Sequence, residues 1–355
     1  MKSKNYSEEI LKVFKKKGFV FLEPDVLLDS NYIIQRSGES FRKLILAFED
    51  DNGKNMCLRP DLTIATCVKY LEKNSKGTAK IYYIGQAYRR SNHSNKSIIN
   101  NQLGLEIIGS KKKLSDDSEI ISTILNAIKK IKIKKININI GDVSLFKQLI
   151  ESLNIPERWK LRLIRHFWRP DYFEDLLNRL ETNSDIDPVS FSYDKKKFYE
   201  MKKIDQNQQI AGRTISEILS RFDKKISDPR SFTEGKRTTK IIREFLKIKC
   251  STDQIDKCLK KFLKKYNINK SGIKNELPIR NISNSGYKII FSTNFGRNIE
   301  YYTGMVFEIS TIKKKQKKEL ARGGRYDNLL KNLGSKKNIS AVGAAINLNN
   351  LSEVL

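Results

Sequence analysis

The chain has 355 residues, of which 39% are hydrophobic and 31% charged, and a formal net charge of +29. That size buries a large core and suits one main domain plus a smaller one, and the composition fits a soluble globular protein rather than a disordered chain. No apolar run reaches the roughly 20 residues needed to cross a bilayer, and Met1-Lys-Ser-Lys-Asn-Tyr-Ser has no apolar signal core, so no membrane association and a cytoplasmic location are expected.

Ser7–Lys17 reads as a helix, with Ile10, Leu11, Val13 and Phe14 inward and Gly18 as its stop. Leu44–Phe48 and Asn55–Leu58 read as strands of a hairpin whose Asn52-Gly53 supplies the positive φ of a tight turn. Lys80–Ile84 and Gln102–Ile108 form a second strand pair around a polar loop. Ser118–Lys130 places Ile120, Ile121, Ile124, Leu125 and Ile128 on one helical face, with acid at its start and base at its end. Ile136, Ile138 and Ile140 alternate with asparagines, the period of a half-buried strand. From Val143 to Lys265 the pattern turns helical, most clearly over Thr252–Tyr266. Strands return at Lys288–Ser292, Met305–Ile309 and Glu319–Arg322, and Ser340–Leu348 is a small-residue strand or strand–helix junction. Strands, then helices, then strands indicate α+β architecture with a mainly antiparallel sheet flanked by helices. The expected division is a core of residues 1–142 and 275–355, interrupted by a helical insertion over 143–274.

Cys57, Cys67, Cys250 and Cys258 lack ligand spacing, and only His93 and His166 could join them, so no metal is expected. No glycine-rich phosphate loop and no credible Ser/His/Asp triad is present, and no cofactor is expected. The lysines are dispersed, with short runs at Lys15–Lys17, Lys111–Lys113, Lys195–Lys197 and Lys313–Lys315. They read as solvated surface rather than a nucleic-acid stripe.

Four segments carry groups suited to a small polar ligand. In Leu58-Arg-Pro-Asp-Leu-Thr63, Asp61 and Thr63 could face an ammonium, or Asp61 could simply cap the helix that follows. In Tyr82-Tyr-Ile-Gly-Gln-Ala-Tyr-Arg-Arg-Ser91, Arg89 offers a planar fork to a carboxylate. In Gln102-Leu-Gly-Leu-Glu106, the two polar residues share one face of a strand. In Arg297-Asn-Ile-Glu-Tyr-Tyr-Thr-Gly-Met-Val-Phe-Glu308, Tyr301 and Tyr302 give an apolar wall with hydroxyls. Gly323-Gly-Arg-Tyr-Asp327 follows, read here as a small-residue turn.

Together these segments closely resemble the histidine-recognition elements of histidyl-tRNA synthetases, a class II family, over most of residues 5–352. The resemblance implies a class II synthetase-like catalytic core and a histidine pocket. In that pocket Asp61 and Thr63 meet the ammonium, Arg89 the carboxylate, and Glu106 with Tyr302 the imidazole, while Gln102, Arg297 and Tyr301 complete the shell. Working synthetases carry an ATP-clamping arginine in Ala341-Val-Gly-Ala-Ala-Ile-Asn-Leu-Asn-Asn-Leu351, where this chain has Asn350. Ser91 stands at the ATP glutamate position and Asn100 at the position of the adenine-stacking ring. The chain ends soon after this motif, where synthetases append an anticodon-binding domain. The pattern is similar to the regulatory subunits of ATP phosphoribosyltransferase, which Gly141-Asp-Val-Ser-Leu-Phe146 also resembles. That family implies no catalysis by this chain itself. It implies activation of a short-form catalytic subunit and feedback inhibition by L-histidine at the first step of histidine biosynthesis, as a homodimer within a hetero-octamer. The alternatives are an active histidyl-tRNA synthetase and an RNA-binding paralogue.

Overall fold

The computed structural model describes residues 2–37, 42, 44–73, 77–90, 97–133, 135–182, 196–204, 208–210, 213–226, 231–269, 273–278, 287–297 and 299–355. Its strands are β1 Val20–Phe21, β2 Leu27–Asp29, β3 Leu46–Glu49, β4 Asn55–Leu58, β5 Ala79–Tyr88, β6 Ile99–Ile108, β7 Asn137–Asp142, β8 Gln209–Ile210, β9 Arg213–Thr214, β10 Lys249–Ser251, β11 Ile289–Ser292, β12 Met305–Lys313, β13 Gln316–Arg325 and β14 Ala341–Asn347. The main sheet runs β1-β5-β6-β14-β13-β12-β7-β11-β10. Only β1 with β5 and β7 with β11 pair in parallel; every other neighbouring pair is antiparallel. This is the α+β class with a mainly antiparallel sheet flanked by helices.

The chain divides into two compact units: Met1–Leu145 with Lys249–Lys257 and Asn275–Leu355, and Phe146–Ile248 with Cys258–Lys274. In the first, helix Lys2–Lys16 ends at Gly18, whose φ of 80° no β-carbon favours. It packs on helix Lys113–Lys130, which buries Ile120, Ile121, Ile124 and Ile128 under the sheet. The β3–β4 hairpin turns at Gly53, with φ 76°. A core of Ile33, Ile45, Cys57, Ile64, Tyr70, Ile108, Leu329 and Leu330 fills the space between helix Leu62–Glu72 and the sheet.

In the second unit, helices Glu157–His166 and Pro170–Thr182 meet over a ring cluster. Phe146 stacks on Phe167 at 3.8 Å between ring centroids, and Phe173 sits edge-on to both. Arg243, on helix Phe232–Leu246, bridges Glu174, Glu181 and Asn178. The capping box of that helix, Ser231 with Glu234, satisfies its first backbone donors.

Several elements differ from their sequence-based bounds. β5 and β6 extend to Tyr88 and Ile99, because polar Gln86, Asn100 and Asn101 still complete the ladder. Helix Lys113–Lys130 begins five residues before Ser118, since Asp117 is held inside by an arginine distant in sequence. Gly323 and Gly324 form no turn. They lie within β13, opposite Phe307 and Val306 on one side and Ala344 and Gly343 on the other. A β-carbon on Gly323 would strike the Gly343 carbonyl, and one on Gly324 would come within 2.8 Å of the Tyr302 ring. The glycines are there for close approach between neighbours.

Candidate functional site

Helix Leu62–Glu72 follows β4 directly, so residues 58–63 lie across the end of β5 and β6. Arg59 fixes this crossing: buried, it donates through Nε to the Gln86 carbonyl at 2.7 Å and through a terminal nitrogen to the Pro24 carbonyl. Gly85 leaves room for it, since a β-carbon there would sit 2.6 Å from the guanidinium. The next turn presents Asp61 and Thr63. Asp61 caps the helix and also pairs with an arginine. Its Oδ1 accepts the Ile64 N–H at 3.1 Å as helix cap, and its Oδ2 accepts from Arg89 at 3.1 Å. Arg89 also donates through Nε to the Pro60 carbonyl at 2.6 Å. Acid and base are thus pre-paired at one rim of a cavity, and each has lone pairs or protons left for a ligand.

That cavity is about 310 Å³, the size class of small-ligand sites. Its wall brings together Asp61, Thr63, Arg89, Gln102, Tyr301 and Tyr302 from four separate segments of the sequence. Tyr301 and Tyr302 both face it although adjacent, because they precede β12 in a turn and escape strand alternation. Their rings meet edge-on at 5.1 Å, and Tyr301 meets Tyr326 at 5.9 Å.

Glu106 lies beneath this wall, fully buried. Thr63 donates to its Oε1 at 2.8 Å, Tyr83 donates to the same oxygen at 3.1 Å, and Tyr326 donates to Oε2. Burial pushes the Glu106 carboxyl up to about 8; the hydroxyls of Tyr326 and Thr63 pull it down, and the charge of Asp61 pushes it up further. The carboxyl therefore holds a proton through neutral pH. It sits against the backbone of Gly343, which lines the cavity, and a β-carbon at Gly343 would land on Oε2. Gly343→Ala is accordingly expected to force Glu106 aside and cost about 1–3 kcal/mol or more, measured by denaturant unfolding; unchanged stability would contradict this packing.

Of the anticipated site residues, Glu106 lies beneath the wall rather than in it, and Arg297 is placed elsewhere. It is buried but does not line the cavity, and it donates to Asn294 Oδ1 at 2.8 Å. Among the charged and aromatic lining residues, Tyr326, Arg322 and Glu319 escaped the sequence reading. Arg322 donates to Glu319 at 2.6 Å and to Glu308 at 3.0 Å. The missed signal was period two: Arg322, Gly324 and Tyr326 point to one face once the glycines are read as strand. Asn100 also lines the cavity, whereas Ser91 and His93 lie outside the described residues. Among the described residues no cluster of His, Cys, Asp or Glu could hold a metal, and no helix is long and apolar enough to cross a membrane.

The family model for histidyl-tRNA synthetase matches residues 1–351. The chain belongs to the histidyl-tRNA synthetase-like family. Within that family it is similar to proteins described as ATP phosphoribosyltransferase regulatory subunits. Those of Brucella anthropi and Brucella ovis are 26% and 27% identical over 347 residues, covering 93% of this chain and 92% of each relative. Among solved structures it matches an ATP phosphoribosyltransferase regulatory subunit/histidyl-tRNA synthetase from Bacillus halodurans, with TM-score 0.65 and 18% identity over 99% of this chain and 79% of that one. It also matches a histidine–tRNA ligase subunit from Alicyclobacillus acidocaldarius, with TM-score 0.57 and 17% identity over 99% and 93% of the two chains. At these identities the structures establish the class II synthetase-like fold.

Against the synthetase pattern of this family, the third-motif position holds Asn350. Its side-chain amide donates to the Glu319 carbonyl at 2.8 Å, tying helix Leu348–Val354 to β13. It is a neutral structural link where a synthetase places a cation.

Proposed function

We propose that this chain is the non-catalytic regulatory subunit of an ATP phosphoribosyltransferase. It pairs with a short-form catalytic subunit, as homodimers within a hetero-octamer, activates it, and carries feedback inhibition by L-histidine. The observation that supports the reading is a cavity lined by Asp61, Thr63, Arg89, Gln102, Tyr301 and Tyr302, in a chain with Asn350 where the resemblance puts an ATP-clamping arginine. Asp61 and Thr63 would take the ammonium and Arg89 the carboxylate. Glu106 with Tyr302 would take the imidazole, and Gln102 and Tyr301 complete the contact. Arg297 contributes by holding the turn after β11, through Asn294, rather than by touching ligand. Kinship with proteins described as regulatory subunits supports the same reading.

An arginine at a phosphoryl-transfer site contributes about 3 kcal/mol, roughly a hundredfold in rate. The purified chain is therefore expected to show no histidine-dependent exchange of pyrophosphate into ATP and no charging of tRNA. Mixed with the catalytic chain, it should raise formation of phosphoribosyl-ATP from ATP and phosphoribosyl pyrophosphate. Exchange at a synthetase-like rate, or a catalytic chain equally fast alone, would overturn the proposal.

A further inference from the structure

The chain carries 50 lysines and only 19 arginines. Where a position needs only positive charge, such a chain uses lysine. Arginine is kept where its planar, five-donor fork matters. The arginines described above obey this: Arg59, Arg89, Arg243 and Arg322 all make side-chain hydrogen bonds through the fork. Residues 156–169 depart from the background more sharply than any part of the cavity. They hold four arginines, Arg158, Arg162, Arg165 and Arg169, but only one lysine, Lys160.

Arg158, Arg162 and Arg165 follow one another at helical spacings of four and three on helix Glu157–His166, and Arg169 comes in the turn after it. The opposite face of the helix is buried through Trp159 and Leu163, and its end is locked by Phe167 against Phe146 and Phe173. The basic face therefore stands on a rigid base. Aromatic rings hold the guanidinium groups flat. Arg162 lies 4.7 Å over Trp159, and Arg169 lies 5.5 Å over Trp168 and 5.0 Å over Tyr172. Neither Arg165 nor Arg169 makes an ion pair among the described residues. His166 packs edge-on to Tyr172 at 4.7 Å, and burial and then the charges of Arg165, Arg169 and Arg162 hold it below its usual range. Leu161, half exposed, adds apolar surface beside the arginines.

Arg165 and Arg169 with the half-buried rings of Trp168 and Tyr172 make up the composition of a protein-binding hot spot. A single-stranded nucleic acid would want bare rings for base stacking, but here the ring faces are already covered by guanidinium groups. What remains outward is the fork edges of Arg165 and Arg169, which fit carboxylates. We propose that the face formed by Arg165 and Arg169 is a docking surface for an acidic segment of the catalytic partner. The partner's identity rests on the function proposed above; the surface and its chemistry come from these residues.

The test uses the full chain co-assembled with the short-form catalytic chain, with the dissociation constant read by analytical ultracentrifugation. Arg165→Glu/Arg169→Glu should weaken assembly at least thirtyfold. Lys260→Glu/Lys261→Glu, the same charge change at exposed positions on helix Ile255–Tyr266, should change it less than threefold. Arg165→Lys/Arg169→Lys keeps charge and should still lose about tenfold, because lysine lacks the fork. Unchanged near- and far-ultraviolet circular dichroism and thermal midpoint of each variant report that the fold is intact. Assembly of the Arg165→Glu/Arg169→Glu chain at wild-type strength, or equal losses in the control pair, overturns the docking surface. Wild-type behaviour of the lysine variant overturns the fork argument. If the wild type assembles with no catalytic chain, the functional reading itself fails. Loss of binding to a single-stranded oligonucleotide in Arg165→Glu/Arg169→Glu would then assign the face to nucleic acid instead.

Discussion

Glu106→Gln should flatten the pH dependence of stability between about pH 4.5 and 8. The wild-type carboxyl keeps its proton to about 8 in the folded chain, against a usual value of 4.5. Across that window the folded state binds more protons than the unfolded chain, so stability is fullest below pH 4.5 and declines as pH rises through 8. The slope from one such group is at most about 1.4 kcal/mol per pH unit. Glutamine fits the same space and has no proton to lose, so the variant should gain on the wild type with each step from pH 5 to 8. Urea unfolding at a series of pH values measures this difference directly, with other titrating groups common to both chains. Parallel curves would mean that Glu106 is ionised in the fold. The same site should respond in binding: Glu106→Ala is expected to weaken histidine by about 1–3 kcal/mol, the cost of leaving buried polar partners unpaired, and so to blunt inhibition of the assembled enzyme.

Arg325→Ala should cost about 3–5 kcal/mol of stability, the usual result of removing one partner of a buried ion pair. Every N–H of Arg325 is used. Nε donates to Asp117 at 3.0 Å, one terminal nitrogen to Asp327 at 2.9 Å and Ser340 at 2.7 Å, and the other to Asp117 and to the Lys113 carbonyl. Arg325 and Asp117 are both buried. Burial already pushes Asp117 up to about 6, against the pull of Arg325. Without the arginine its carboxyl should hold a proton to still higher pH, and a neutral acid is tolerated better inside. The deficit should therefore be smaller at pH 5 than at pH 8. A deficit independent of pH, or below about 1 kcal/mol, would contradict the saturated pair.

What the sequence made legible was local. The face of Ile120, Ile121, Ile124 and Ile128, the alternation at Ile136–Ile140 and the Asn52-Gly53 hairpin each carry their own periodicity or turn chemistry, and the structure has all three. Asp61, Thr63, Arg89, Gln102, Tyr301 and Tyr302 were legible because each sits in a compact segment with a family resemblance. The rest depends on partners distant in the chain. Asp117 reads as a polar helix start until Arg325 is placed beside it. Gly323-Gly324 reads as a turn until Gly343 and Tyr302 are seen to need the space. Tyr326 reads as the tail of that turn, although its hydroxyl closes the Glu106 network. Arg297 lies in the right segment, yet its side chain bonds to Asn294 instead of reaching the cavity.

Titration calorimetry of L-histidine into the wild-type chain, alone and assembled with its catalytic partner, tests whether the pocket binds histidine. One site per chain is expected, lost or much weakened in Glu106→Ala. No competition from leucine or phenylalanine is expected, since a site of buried polar groups rejects ligands that leave them unpaired by a factor of about 10⁴. No histidine heat in either state, or equal affinity in the Glu106→Ala chain, would contradict histidine binding in this pocket.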